Sequence, residues 1–307
     1  MAALLNRRLF LGKTLGISST IAAGLSLEEK ILLANTEEKS RGQKAGKTVD
    51  RLPRGNIGTV EISRLICGGN LFDGFAHSRK LTYVSALMKH YFTPEKIMDT
   101  LELCEQNGIN TAIMLCWDPI VDVLKKYRKQ RGGRIQWIAQ SYDPLGQLEC
   151  VKMAVDNGAV GFFIQGANGD TFVQEGRIDY IAKIISLAKQ NGLIAGVGSH
   201  TLDVPKTLEK EGLELDFYFK TINNVDYWSE SPEEVAAFMK TVDKPWIAFK
   251  VLGAGVIRKP REGFEHAFKM GADFLNVGMF DFQVAEDAAL VSDILTSSLQ
   301  RERPWKS

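Results

Sequence analysis

Two lysines carry the sharpest chemical signal in this 307-residue chain. Lys220 ends the run Phe217-Tyr218-Phe219-Lys220, and Lys250 ends Trp246-Ile247-Ala248-Phe249-Lys250. A lysine that closes an apolar run is partly desolvated, and burial disfavours its charged form. Two such amines close together depress each other's pKa further. A lysine tuned in this way acts as a general base or forms a Schiff base with a carbonyl. The same pattern also describes a lysine paired with a carboxylate, or one that holds a substrate anion without chemistry. His200, in Gly196-Val197-Gly198-Ser199-His200, is an acid/base suited to neutral pH. Lys220, Lys250 and His200 are therefore the candidate catalytic residues.

A second set of residues suits binding. Asn70, Gln140, Gln165 and Asn223 are amides at or just beyond the ends of apolar runs. Amides fix hydroxyl groups, and rings such as Trp117, Tyr142, Tyr227 and Trp228 cover the apolar face of a sugar. His77 lies in a polar stretch placed to close over a ligand. The expected partner is thus a small, sugar-like molecule. Gly253 and Gly255 offer backbone N–H groups to a phosphate or carboxylate of a cofactor, or serve only a tight turn. The four histidines show no H-x-H or H-E-x-x-H spacing, so no metal site is assigned. The sequence demands no cofactor, and it excludes neither a nicotinamide nor a divalent metal. Cys67, Cys104, Cys116 and Cys150 match no zinc pattern. Cys67 and Cys116 end consecutive predicted strands and are candidates for proximity, while buried free thiols are the favoured state.

Side chains so scattered along the chain need a scaffold that gathers them. Apolar, β-branched runs at residues 64–68, 110–116, 135–141, 160–165, 193–198, 217–221, 246–251 and 274–278 read as eight strands. They are apolar throughout, as in strands buried on both faces. Amphipathic helical stretches fill the gaps, most clearly at 95–106 and 177–190. Glycines at 108, 158, 192, 212 and 271 stand one to four residues before strands, where a left-handed residue ends a helix. Eight βα units predict an α/β fold closed as a (β/α)8 TIM barrel, with its site at the carboxyl ends of the strands. An open doubly wound sheet is the alternative, but Cys67-Gly68-Gly69-Asn70 is not the G-x-G-x-x-G turn that fold usually carries.

The stretch from Arg51-Leu52-Pro53-Arg54-Gly55-Asn56-Ile57-Gly58 to Ser63-Arg64-Leu65 resembles the hairpin that closes the barrel of aldo/keto reductases. Gly108-Ile109-Asn110 is similar to that superfamily's Gly-x-Asn, and Leu252-Gly253-Ala254-Gly255-Val256-Ile257 to its seventh-strand segment. The resemblance covers about 250 residues in pattern, and its motifs are short. It implies a nicotinamide-dependent reductase with a catalytic Asp, Tyr, Lys and His. At those positions this chain has Ile113, the stretch 116–118, Gln140 or a neighbour, and Gln165. The basic residues that grip the cofactor's 2′-phosphate in that family have no counterpart in Gly278-Met279-Phe280-Asp281. The chain reads as a divergent exported branch of the superfamily, and fold alone does not transfer the reaction.

The export reading rests on the N-terminus. Asn6-Arg7-Arg8-Leu9-Phe10-Leu11-Gly12-Lys13, followed by a mild apolar run, resembles a twin-arginine signal. Residues 1–34 read as that signal peptide, 35–50 as a polar linker, and 51–307 as the barrel, destined for the periplasm or secretion. Beyond the leader no apolar run reaches the roughly 20 residues that span a bilayer. With 38 basic and 37 acidic residues there is no basic stripe, which argues against a nucleic-acid partner. Three functions remain open. The first is proton transfer on a carbohydrate-like carbonyl compound, as in lyases, isomerases, epimerases and aldolases. The second is NADP-dependent oxidoreduction with altered catalytic residues. The third is sugar binding without chemistry.

Overall fold

The structure, a computed structural model, describes residues 52–75, 81–142 and 146–307, all within the unit Val49–Ser307. His77, the leader and the linker lie outside the described residues. The chain enters through an antiparallel hairpin, β1 (Arg54–Ile57) and β2 (Val60–Ser63). Gly58, at φ 55°, supplies the left-handed residue that a two-residue hairpin turn demands. Then come β3 (Leu65–Gly68), helices α1 (Thr82–Tyr91) and α2 (Pro94–Gln106), β4 (Thr111–Leu115), α3 (Asp118–Arg131) and β5 (Gln136–Gln140). These lead to α4 (Gln147–Asp156), β6 (Gly161–Ile164), α5 (Gly166–Gln174), α6 (Ile178–Gln190) and β7 (Ile194–Ser199). The chain finishes with α7 (Asp203–Lys210), β8 (Phe217–Thr221), α8 (Pro232–Met239), β9 (Trp246–Phe249), α9 (Pro260–Lys269), β10 (Phe274–Val277) and α10 (Asp281–Thr296).

Strands β3 to β10 are parallel and close into a barrel, with β10 beside β3 through Leu275–Leu65, Asn276–Ile66 and Val277–Cys67. Closure excludes the open sheet and gives the expected (β/α)8 architecture. Each predicted strand is present. The glycines at 108, 158, 192, 212 and 271 have φ of 83°, 71°, 79°, 66° and 108°, so each does end a helix in the left-handed region. Helix starts are equally local. Thr93 accepts a hydrogen bond from the Lys96 N–H, with Pro94 at the first turn, and Ser231-Pro232 repeats the device at α8.

Side chains alternate across the barrel wall. Ile66, Ile113, Ile138, Phe163, Phe217, Phe219, Ile247, Phe249 and Phe274 form one buried cluster inside the barrel, joined from below by Ile57 and Ile62 of the hairpin. A larger cluster, with Trp137, Tyr218, Trp246 and Phe264, packs the outer wall against the helices. This parity decides which strand-end residues face the mouth. No helix among the described residues is long and apolar enough to cross a membrane.

Register corrects one expected neighbour. Cys67 lies beside Ala112, four residues below Cys116 on β4. At about 3.3 Å per residue the two are therefore far apart. Cys116 instead meets Cys150 of α4, whose carbonyl accepts from its Sγ at 3.1 Å. Cys67 meets Cys104 of α2. All four thiols are free and buried.

Candidate active site

Residues two beyond the interior cluster face the barrel mouth: Gly68, Leu115, Gln140, Gln165, Thr221 and Asn276. On one side of this mouth, between the ends of β3, β9 and β10, lies a cavity of about 380 Å³. Its walls are mainly apolar, with Leu71, Val84, Met88, Phe249, Val277 and Phe280. Val84 and Met88 come from α1, a helix that covers the cavity. Tyr83, His90 and Tyr91 belong to the same helix. Gly68 and Gly69 let β3 approach its neighbours. A Cβ on Gly69 would stand 2.8 Å from the Ile113 carbonyl oxygen, and one on Gly68 3.0 Å from the Gly278 nitrogen.

Lys250 lines this cavity, and its surroundings are unusual. Nζ lies 5.4 Å from the centre of the Tyr227 ring, and 5.8 Å from those of both Trp228 and Phe249. Burial pushes its pKa down to about 8, with no acidic neighbour acting on it among the described residues. Its φ is 55°, a strained value for a lysine. The other non-glycine residues with positive φ, among those described, are Asp226, Trp228 and Ala254. All four belong to the two segments that follow β8 and β9 and surround this amine.

Lys220 does not join it. Lys220 is level with Ala248 on β9 and two residues from Tyr218, so it points out of the barrel wall. It is fully buried, and Nζ donates to Glu230 Oε2 (2.9 Å), the His200 carbonyl (2.8 Å) and Thr221 Oγ1 (3.1 Å). Burial lowers its pKa, while Glu230 acts to raise it. Its donors are satisfied, and the expected pair of facing lysines is replaced by one accessible amine and one buried ion pair. Strand parity separates them.

His200 is oriented by a residue of α5. Asp170 accepts from the His200 N–H with both oxygens (3.0 Å each), from Thr201, and contacts Nδ1 at 2.8 Å. These donors hold the Asp170 carboxyl below its ordinary range against the effect of burial. With Nδ1 carrying the proton, Nε2 is the free ring nitrogen, a tautomer set by the carboxylate. The imidazole lies 5.3 Å from Trp228 and 5.4 Å from Phe249, centre to centre. His200 and Lys250 thus flank the same two rings.

The predicted binding residues divide. Asn70 lines the cavity from the turn Gly69–Leu71. Gln140 is buried at the end of β5 with its amide on the interior face, and Gln165 opens α5. Trp117 donates Nε1–H to Asp73 Oδ1 (3.0 Å) and packs on Tyr142 at 5.5 Å. The second oxygen of Asp73 is buried without a partner among the described residues, and burial pushes that carboxyl up to about 7. Asn223 is no substrate contact. It is fully buried, and its amide binds the Val225 N–H and both backbone groups of Tyr227. It builds the loop that carries the aromatic cage. Gly253 and Gly255 are not cofactor donors either, because their N–H groups bind Lys250 O (2.8 Å) and Leu252 O (3.0 Å). A Cβ on Gly253 would stand 2.4 Å from Val225 Cγ2, so the turn itself requires this glycine. One contributor carries no sequence signal: Glu230 follows Lys220 by ten residues with no local motif. Asn276, within the eighth predicted strand, faces inward by its register. No group of three or more His, Cys, Asp or Glu among the described residues could hold a metal ion.

Solved structures with this fold include aldo-keto reductases. A Pseudomonas aeruginosa protein assigned to that family superposes with a TM-score of 0.61 at 17% identity, covering 83% of this chain and 100% of the other. An aldo-keto reductase of Bacillus halodurans in its holo form gives 0.57 at 12%, covering 81% and 92%. A mutant of the protein Gox0644 in complex with NADPH gives 0.56 at 9%, covering 82% and 90%. These identities carry the likeness in fold. No family model matches the chain, and no curated protein matches it in sequence.

Proposed function

We propose that the barrel is an enzyme that moves protons on a small, carbohydrate-like carbonyl compound bound beside Lys250. The observation that carries this reading is Lys250 itself, a half-buried amine at the rim of a cavity, with depressed pKa, no acidic partner among the described residues and a strained backbone. Burying a cation unpaired is costly, and such arrangements cluster where chemistry needs them. In its charged form Lys250 stabilises negative charge as it develops on a carbonyl oxygen. His200 Nε2, the ring held by Asp170, takes the proton from the adjacent carbon and returns it. Trp228 and Phe249 offer the flat surface between them. In its neutral form Lys250 is the amine of a Schiff base, and borohydride trapping separates that version.

The test is solvent exchange. The protein is incubated in heavy water with ketoses and oxo acids, and deuterium at the carbon beside the carbonyl is followed by NMR. Incorporation is expected, falling about 10²–10⁴-fold in Lys250→Met and His200→Gln. Exchange that survives both substitutions defeats the proposal.

A second reading, a nicotinamide-dependent oxidoreductase, is favoured by the cavity's apolar walls and amides and by the NADPH bound to one structural neighbour. The ring of a nicotinamide fits Phe249, Asn70 and Asn276. The phosphates fit less well, since Lys250 is the one cation among the residues that line the cavity. Stabilisation by NADPH alone in a thermal-shift screen against keto-sugars and divalent metals would favour this second reading over the first. We also propose export by the twin-arginine route. Replacing Arg7-Arg8 by two lysines is expected to leave the protein in the cytoplasm of a bacterial host, as read by fractionation.

A further inference from the structure

We infer that the ligand of the Lys250 cavity carries a single carboxylate and at least one hydroxyl, placing it among hydroxy and oxo acids of the sugar type. This names the substrate class of the site above and rests on that reading.

Charge comes first. Among the residues that line the cavity there is one cation, Lys250, and no Asp or Glu. Burial alone depresses the amine, and the aromatic faces of Tyr227, Trp228 and Phe249 partly replace its lost water. A ring quadrupole does not neutralise a charge, so the cavity retains a net positive site. An anion that enters completes the pair. One ammonium matches one negative charge, and a dianionic phosphate would find no second cation among these residues. The N-terminus of α10 offers no substitute. The Phe280 N–H is bound by Gln283 Oε1 at 3.0 Å, and the first residue of the helix is the acidic Asp281.

Hydrogen bonding comes second. Asn276 points inward from β10, and its Oδ1 is buried with no donor within reach among the described residues. A buried acceptor left unpaired costs about 1–3 kcal/mol, so a ligand that donates to it is favoured. A carboxylate or ketone cannot donate, whereas a hydroxyl can. Asn70 lies on the same wall and serves further hydroxyls. About 380 Å³ lies in the range of small-molecule sites. The apolar walls exclude a fully hydrated polyanion. In a 2-oxo or 2-hydroxy acid, the 2-oxygen and a carboxylate oxygen are near neighbours. One ammonium then reaches both and holds the carbonyl for the proton transfer proposed above.

The experiment is calorimetric titration of the protein with D-gluconate, pyruvate, D-glucose and inorganic phosphate. Gluconate is expected to bind more tightly than glucose or phosphate, with net proton uptake near pH 8 as the new counter-ion raises the Lys250 pKa. Affinity is expected to fall about 30-fold between about pH 6.5 and pH 9.5, as the free amine loses its charge. Lys250→Met abolishes gluconate and pyruvate binding, and Lys250→Arg retains it. Asn276→Leu weakens gluconate, which can donate a hydroxyl, and leaves pyruvate, which cannot, unchanged. Melting curves confirm that each variant is folded. Glucose or phosphate binding as tightly as gluconate, no dependence on pH, or unimpaired gluconate binding in folded Lys250→Met overturns the assignment. Equal weakening of both acids in Asn276→Leu overturns the hydroxyl contact. The two readings fail separately. Carboxylate binding without deuterium exchange defeats the enzyme and keeps the ligand class, whereas exchange on neutral ketoses alone does the reverse.

Discussion

A buried lysine loses its hydration, and this chain handles that loss differently at two positions. Lys220 is fully buried with Glu230, a carbonyl and a hydroxyl around Nζ. Lys250 has three aromatic faces and, among the described residues, no carboxylate. The consequence for stability has opposite sign. Lys250 has its pKa at about 8 in the fold against 10.5 for the free side chain. Between these values the unfolded chain binds more protons, so stability rises with pH through that window and the full penalty applies below it. Lys250→Met is therefore expected to be more stable than wild type at pH 7, by on the order of 1 kcal/mol after solvent screening, with the gap closing by about pH 10.5. Lys220→Met removes one partner of a buried pair and is expected to cost about 3 kcal/mol. Urea midpoints of the three proteins across this pH range test both statements. A pH-independent gap for Lys250→Met would show that the amine titrates normally. In sequence the two lysines look alike, each closing an apolar run. Parity and a left-handed φ separate them, and neither is written in those runs.

The elements divide along the same line. Strands were legible because a strand buried on both faces must be apolar throughout, and helix ends were legible because a left-handed stop wants glycine. The segments that build the site obey no such periodicity. Helix α5, which supplies Asp170, is nine residues of mixed character, and the segment after β8 is set by one side chain. Asn223 takes up the Val225 N–H, the Tyr227 N–H and the Tyr227 carbonyl. It thereby holds Asp226 and Trp228 at φ 51°. From sequence alone this amide points to substrate, because an Asn after a strand serves a ligand and a loop equally well. Asn223→Ala leaves these backbone groups without partners, at about 1–3 kcal/mol for a buried unsatisfied group. The expected result is a loosened cage. Trp228, now 61% exposed beside His200, should show altered fluorescence, and the Lys250 pKa should climb back towards its ordinary value. Rates of lysine acylation as a function of pH would read that shift. An unchanged profile with lowered stability would leave Asn223 a structural residue alone.

At the scale of the whole molecule, the strained mouth stands at the opposite end of the barrel from a fastened bottom. The hairpin places Ile57 and Ile62 under the interior cluster. Beside it the C-terminal residues fold back across the strand starts. Arg303 is fully buried. It donates to Asp273, to the Gly271 carbonyl (3.3 Å), and to the carbonyls of Val242 (3.0 Å) and Lys244 (2.6 Å). Asp273 in turn accepts from the Trp246 N–H at 2.9 Å and the Lys306 N–H at 3.0 Å, which ties β9, β10 and the tail together. Arg64 donates to the Asp273 carbonyl and lies 4.1 Å over the Trp305 ring, with Arg301 at 3.4 Å from that ring. Closure joins the last strand to the first, so loosening β10 opens the barrel seam between β10 and β3. Arg303→Leu strips the buried Asp273 carboxylate of its closest cation and is expected to cost about 3–5 kcal/mol. Asp273→Asn together with Arg303→Leu should lose less than the sum of the two, because no unpaired charge is left behind. Denaturant titrations of the single and double variants measure this. If the losses simply add, the two groups act independently and the tail does not fasten the seam through them. Titrating gluconate into the same variants then asks whether the mouth keeps its affinity while the bottom loosens. Retained affinity in a destabilised but folded barrel would mean that the strained cage is held locally by Asn223 and the Gly253 turn, whereas parallel loss would mean that it depends on closure of the whole barrel.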